Sequence, residues 1–201
     1  MATSRRGLLI GGAVVALGTI GYLNAPHARP HRPRKAGELD YAGARWVAAA
    51  PANWRMADRP EDYAVDRVVI HVVQGSFDSA LKTFQDPRNK VAAHYVVSGD
   101  GHIAQTVREL DVAYHAGNRA YNERSVGIEH EGFIEEASSF TDAMYAASAR
   151  LTAAICARYR IAVDRKHIIG HVEVPGTDHT DPGPHWDWPR YLTMVGAATG
   201  A

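Results

Sequence analysis

Cysteine is nearly missing. A single one, Cys156, stands among 201 residues, so no intramolecular disulfide can form and no disulfide scaffold is available. Set in an apolar helical pattern, Cys156 reads as a core residue rather than a nucleophile. An excess of one charge is missing too, since 22 basic residues face 22 acidic ones. Six of those basic residues precede the first acid, Glu38, which leaves 16 against 22 from there on, a net of minus six with His neutral. A phosphate footprint needs a basic face, so nucleic-acid binding by that part is disfavoured. Long apolar runs are scarce: Gly7 to Leu23 is seventeen residues with five glycines, at the short limit for a spanning helix, which needs about 20. Neither an internal repeat nor a compact H-E-x-x-H signature occurs.

What is present divides into three stretches. Residues 1–28 read as an export signal or N-terminal anchor, because Arg5 and Arg6 precede the uncharged run in the order of a secretory signal. The adjacent arginines also fit a twin-arginine signal. No clean small-x-small site follows Leu23, which leaves cleavage and retention both open. The expected location is outside the cytoplasm, in the cell wall, the periplasm or the medium, with membrane contact confined to this segment. Residues 29–45, holding Arg29, Arg32, Arg34 and Lys35 among prolines, read as an extended, solvated linker. The remainder, 46–201, has the length of one globular domain, expected as a monomer.

Within it, strand and helix signals alternate. The β-branched run in "DRVVIHVVQG" reads as a buried strand, followed by a short helix over Ser79–Phe84. "VAAHYVVSG" meets "HIAQTV" through Gly99-Asp100-Gly101, the composition of a hairpin turn. "SVGIEHEG" is a fourth strand. Met144, Ala147, Leu151, Ala154 and Ile155 then mark an amphipathic helix from near Ser139 or Thr141 to about Tyr159. "HIIGH" is a fifth strand, and a last helix runs from Pro189 to Val195, seated by Trp186 and Trp188. The class is α/β, a mixed central sheet with helices packed on it.

Polar residues inside these apolar strands carry the chemistry. His71 sits within "VVIHVV", where an imidazole needs a partner to offset its desolvation. His171 ends another buried-looking strand, and Asp181 follows ten residues later across a Pro/Gly-rich loop. Two imidazoles and one carboxylate make a three-ligand set, which on zinc leaves a fourth position open, the mark of a catalytic rather than a structural site. The loop "GHVEVPGTDHTDPGPHWDW" could equally be a solvated connection, and spacing alone leaves both readings open.

The motifs decide more. "VVIHVVQGS", "AAHYVVSGDGHIAQTV", "AYHAG", "SVGIEHEG" and "GHVEVPGTDHTDPGPHWDW", in this order over about residues 46–195, resemble the type 2 N-acetylmuramoyl-L-alanine amidases, a family that includes the peptidoglycan recognition proteins. The resemblance implies a mixed central sheet flanked by helices, a groove for a muramyl peptide, and hydrolysis of the bond between the lactyl group and L-alanine. It implies one zinc ion per chain on His71, His171 and Asp181, the same three residues that the strand pattern singles out. Glu129 matches the family's general base, with Glu131, two residues on, as the competing choice. His179 stands where several members carry a lysine that stabilises charge on the carbonyl oxygen; an imidazole can do this, although its charge depends on pH near neutrality as a lysine's does not. The alternative is that His179 replaces His171 as a ligand. His94 and His115 match positions bordering the substrate groove, whereas His102, His130, His167 and His185 read as surface or supporting residues. Two other classes remain, a non-catalytic peptidoglycan-binding module of the same fold and a zinc peptidase.

Overall fold

A computed structural model describes residues 31–200 apart from Arg34 and Ala36. The expected export segment, 1–28, lies outside the described residues. Among the described residues eight strands form: β1 (Arg45–Trp46), β2 (Trp54–Arg55), β3 (Arg67–Val72), β4 (Tyr95–Val97), β5 (Ile103–Gln105), β6 (Val112–Ala113), β7 (Ser125–His130) and β8 (Ile168–Gly170). Four α-helices accompany them: α1 (Phe77–Gln85), α2 (Arg119–Arg124), α3 (Asp142–Tyr159) and α4 (Trp188–Thr199). Six strands make one mixed sheet in the order β1-β5-β4-β7-β3-β8, and β2 pairs with β6 in a separate antiparallel ribbon. The expected α/β architecture is therefore the one found.

The central strands are parallel and largely buried, which is why β3 is so rich in Val and Ile. Strand alternation sorts their side chains. Val68, Ile70 and Val72 of β3, with Val126 and Ile128 of β7, join one core with Met144, Leu151 and Ile155 of α3 and with Tyr191 and Val195 of α4. Val69 packs in a different cluster, with Ala116 and Ile169. Alternation thus assigns Ser125, Gly127 and Glu129 to the same face as His71, away from α3.

Helix starts follow local chemistry. Ser76 caps α1 by accepting the Ser79 N–H, so α1 opens two residues before the expected Ser79. Thr141 caps α3 by accepting the Met144 N–H. Asp187 caps α4, which continues four residues past the expected Val195. Trp186 is 3 % exposed, among the rings of Phe140, Tyr145 and Tyr191. Trp188 lies under the Arg165 guanidinium. Cys156 is buried as expected, and burial, aided by Asp164, pushes its thiol up to about 12.

The boundary at residue 46 is corrected. Residues 38–45 are part of the folded unit: β1 lies parallel to β5, and Asp40 accepts from the Arg108 guanidinium, the Gln105 amide and the Glu109 N–H. Burial alone would raise the Asp40 pKa, but hydrogen bonds from Arg108 and Glu109 outweigh it and hold the carboxyl below its ordinary value. A carboxyl lowered in the folded state contributes stability above its unfolded pKa, and that contribution is lost as pH falls through the folded value. Asp40→Asn is expected to cost about 1–3 kcal/mol at neutral pH, with the deficit shrinking in acid; urea unfolding at neutral and acidic pH measures both.

Candidate metal centre and active site

The face of the sheet opposite α3 carries a cavity of about 780 Å³, lined among others by His71, His115, Glu129, His171, His179 and Asp181. Three strands and a loop build its polar floor. The parallel register of β3 and β7 sets His71 opposite Glu129. Strand β8 pairs with β3 as far as Gly170, so His171 begins the next turn beside the same strand end. The loop back to Asp181 is drawn in by the Val172 N–H, which donates to the Asp181 carbonyl at 3.0 Å.

His71, His171 and Asp181 are all buried, and one ligand atom from each lies within 4.8 Å of the others. His71 Nδ1 is 3.4 Å from Asp181 Oδ2, and His171 Nδ1 is 3.2 Å from Asp181 Oδ1. Burial would raise the Asp181 carboxyl, yet the imidazoles of His171 and His71 beside it hold it well below the usual carboxylate range. Burial lowers His71, favouring the neutral imidazole that a metal requires. Two imidazole nitrogens and one carboxylate gathered at a common point fit a zinc ion. The cluster holds His171 and not His179, which settles in a different place: its ring stacks on His171 at 4.1 Å, with the side chain 60 % exposed and Nδ1 3.5 Å from Asp181 Oδ1.

The two glutamates separate clearly. Glu131 Oε1 accepts the Phe77 N–H at the start of α1, and its Oε2 accepts the Gly99 N–H at 2.7 Å. It fastens two loops and has no oxygen to spare. Glu129 Oε2 is shut off from solvent and has no hydrogen-bond partner among the described residues. Burial, with a smaller contribution from the Asp181 charge, pushes Glu129 up to about 8.

The two histidines expected at the groove fall differently. His94 does not line it. It is fully buried, with Nδ1 accepting the Gly127 N–H at 3.0 Å and Nε2 only 2.7 Å from the buried Arg59 guanidinium. His115 does line the cavity, but its two nitrogens face inward, toward His71 Nε2 at 2.9 Å and Ser125 Oγ at 3.1 Å, which leaves none for substrate. His130, read as a surface or supporting residue, is fully buried on the α3 side, where it donates from Nδ1 to the His71 carbonyl and meets Ser148 Oγ through Nε2. His102 and His185 are exposed, and His167 pairs with Asp164 near the surface.

Gln74, Lys90, Tyr114 and Asn122 also line the cavity and are not singled out by sequence. They come from loops and a helix whose spacing carries no signal. Gly170 has a clearer one, a glycine at the end of a buried strand. A Cβ there would lie 2.5 Å from Pro182 Cδ and 3.3 Å from the Asp181 carbonyl. Gly170→Ala is therefore expected to push the Asp181 loop off β8 and to cost on the order of 1–3 kcal/mol, read as a lower midpoint in thermal unfolding.

The sequence profile of the N-acetylmuramoyl-L-alanine amidases matches residues 61–184. The N-acetylmuramoyl-L-alanine amidase A of Achromobacter lyticus is 32% identical over 180 residues, which is 81% of this chain and 98% of that protein. The 1,6-anhydro-N-acetylmuramyl-L-alanine amidase AmpD of Haemophilus influenzae is 32% identical over 162 residues, 68% of this chain and 86% of its own. Among solved structures, a selenomethionine AmpD superposes with a TM-score of 0.64 at 31% identity, covering 82% of this chain and 99% of that one. AmiD of E. coli, solved with anhydro-N-acetylmuramic acid-L-Ala-D-γ-Glu-L-Lys, gives 0.57 at 29% identity, over 65% of this chain and 57% of that one.

Proposed function

The chain belongs to the N-acetylmuramoyl-L-alanine amidase family, and from that premise we propose that it is a zinc-dependent peptidoglycan hydrolase cutting between the lactyl group of N-acetylmuramic acid and L-alanine. The observation that carries this reading is the buried cluster of His71, His171 and Asp181 opening onto the same cavity as an unpartnered Glu129. Those three residues would hold a zinc ion, which would supply Lewis acidity for the scissile carbonyl and would bring the acidity of water toward neutrality.

The chain's own residues divide the remaining work. Glu129 takes the proton of the attacking water and passes it to the leaving amine of L-alanine; its raised pKa suits a group that must hold that proton between the two transfers. His179, at the cavity mouth beside His171, donates to the carbonyl oxygen as negative charge develops there. Asp181 stays ionised and neutralises charge at the ligand cluster. The Arg5-Arg6 segment supports action outside the cytoplasm, where intact wall is the substrate.

Incubation of the protein with purified sacculi, with and without a chelator, tests the reaction. New L-alanine amino termini that appear only without chelator are expected; cleavage elsewhere in the stem peptide, or none, overturns the reading. Glu129→Gln should abolish turnover while zinc content stays near one per chain, and normal activity in that variant would remove Glu129 from the mechanism. For His179, replacement by Ala should lower kcat by about 10² to 10³ and replacement by Lys should restore most of it; equal activity in the Ala variant refutes the role.

A further inference from the structure

Strand alternation brings Ser125 and Gly127 to the face that carries His71 and Glu129, and neither has a part in the chemistry above. Both act on His115. His71 Nε2 lies 2.9 Å from His115 Nδ1, His115 Nε2 lies 3.1 Å from Ser125 Oγ, and the Ser125 hydroxyl donates to the Tyr121 carbonyl. The three side chains in this chain of contacts are buried, His71 at 1 %, His115 at 5 % and Ser125 at 0 % exposure.

The direction of the chain follows from its end. A carbonyl oxygen can only accept, so the single proton of the Ser125 hydroxyl is committed to Tyr121. Ser125 Oγ must then accept from His115, which puts the His115 proton on Nε2. A neutral imidazole carries one N–H, so His115 Nδ1 is left as a lone pair and must accept from His71 Nε2–H. His71 therefore keeps its lone pair on Nδ1, the atom that faces Asp181. Reversing the chain would leave the Ser125 and Tyr121 oxygens facing each other with no proton between them, and would place a proton on the nitrogen that has to bind metal.

We propose that His115 and Ser125 are positioning residues that fix the tautomer and ring orientation of His71, and that Gly127 exists to make room for them. A Cβ on Gly127 would meet His115 Cγ at 2.5 Å and Nδ1 at 2.6 Å. The ring could not keep its place beside His71 with any other residue there. His171 has no such support, since its Nε2 is buried without a partner among the described residues. The pre-set half of the site is thus the β3 half, and the proposal rests on the metal-binding reading above.

The test measures zinc alone, by competition with a chromogenic chelator, in the wild type and in Asp181→Ala, Ser125→Ala, His115→Phe and His115→Gln, with thermal unfolding of each metal-free protein alongside. Asp181→Ala should lose tight binding. Ser125→Ala and His115→Phe should weaken it by about 10- to 100-fold. His115→Gln, whose carbonyl can accept from His71 and whose amide can donate to Ser125, should stay near the wild type. The ¹⁵N shifts of His71 should report Nε2–H in the wild type and a mixture in Ser125→Ala. Unchanged zinc affinity in Asp181→Ala would overturn the metal-binding reading itself. Loss in Asp181→Ala together with wild-type affinity and an unchanged His71 tautomer in Ser125→Ala would overturn the relay alone. Should His115→Phe fail to fold, Ser125→Ala, which removes one oxygen, decides the matter.

Discussion

Everything at the site depends on the parallel pairing of β3 with β7 in the register that puts His71 opposite Glu129. Because the side-chain period of a strand is two, that one register assigns every residue of both strands to a face. Val68, Ile70, Val126 and Ile128 go to the α3 core, while His71, Ser125, Gly127 and Glu129 go to the cavity side. A slip of one residue would bury Glu129 under α3 and turn the hydrophobic row toward the cavity. The apolar core thereby enforces the register, and the register enforces the chemistry.

The same dependence explains why so many polar groups can lie in the interior. Buried imidazoles and carboxylates are costly unless each has a partner, and nearly all of them here do. His94 sits between the Gly127 N–H and Arg59, whose guanidinium also meets the carbonyls of Glu109 and Ser125. His130 bridges the His71 carbonyl to Ser148, and Ser148 continues to Tyr191 of α4. These networks bind the sheet to its surroundings on both faces, so the strand end bearing His71 is held from behind as well as from beside.

Much of this is legible in the amino-acid sequence. A histidine within a Val/Ile run, a second after a strand-ending glycine and an aspartate in a Pro/Gly loop are each unusual enough to stand out, and the order of the motifs singles out Glu129. What is not legible comes from contacts between segments far apart in the chain. Residues 38–45 carry no helix or strand period, and the distant Arg108, Gln105 and Glu109 draw Asp40 onto the domain. His94 looks equivalent to His115 in sequence because nothing local announces that Arg59, 35 residues earlier, occupies the space behind it. Strands of two residues, such as β1, β2 and β6, are too short to carry a period at all. Gly127 does leave a trace, a glycine inside a β-branched strand, which is the usual sign of a close approach.

The contrast between Glu129 and Glu131 shows how the fold gives two neighbouring carboxylates different surroundings. Both lie near the end of β7, and both are carboxylates that sequence alone could nominate. Glu131, just past the strand, is reached by the N–H groups of Phe77 and Gly99, so both its oxygens are engaged in joining two loops. Glu129, still inside the strand, projects from the sheet into the cavity, and the N–H groups of the adjacent strands are committed to the sheet ladder. A carboxylate kept from donors in a buried setting has its proton affinity raised, and it reaches about 8. The regular ladder that makes β7 stable thus offers Glu129 no donor, and its raised proton affinity follows from that.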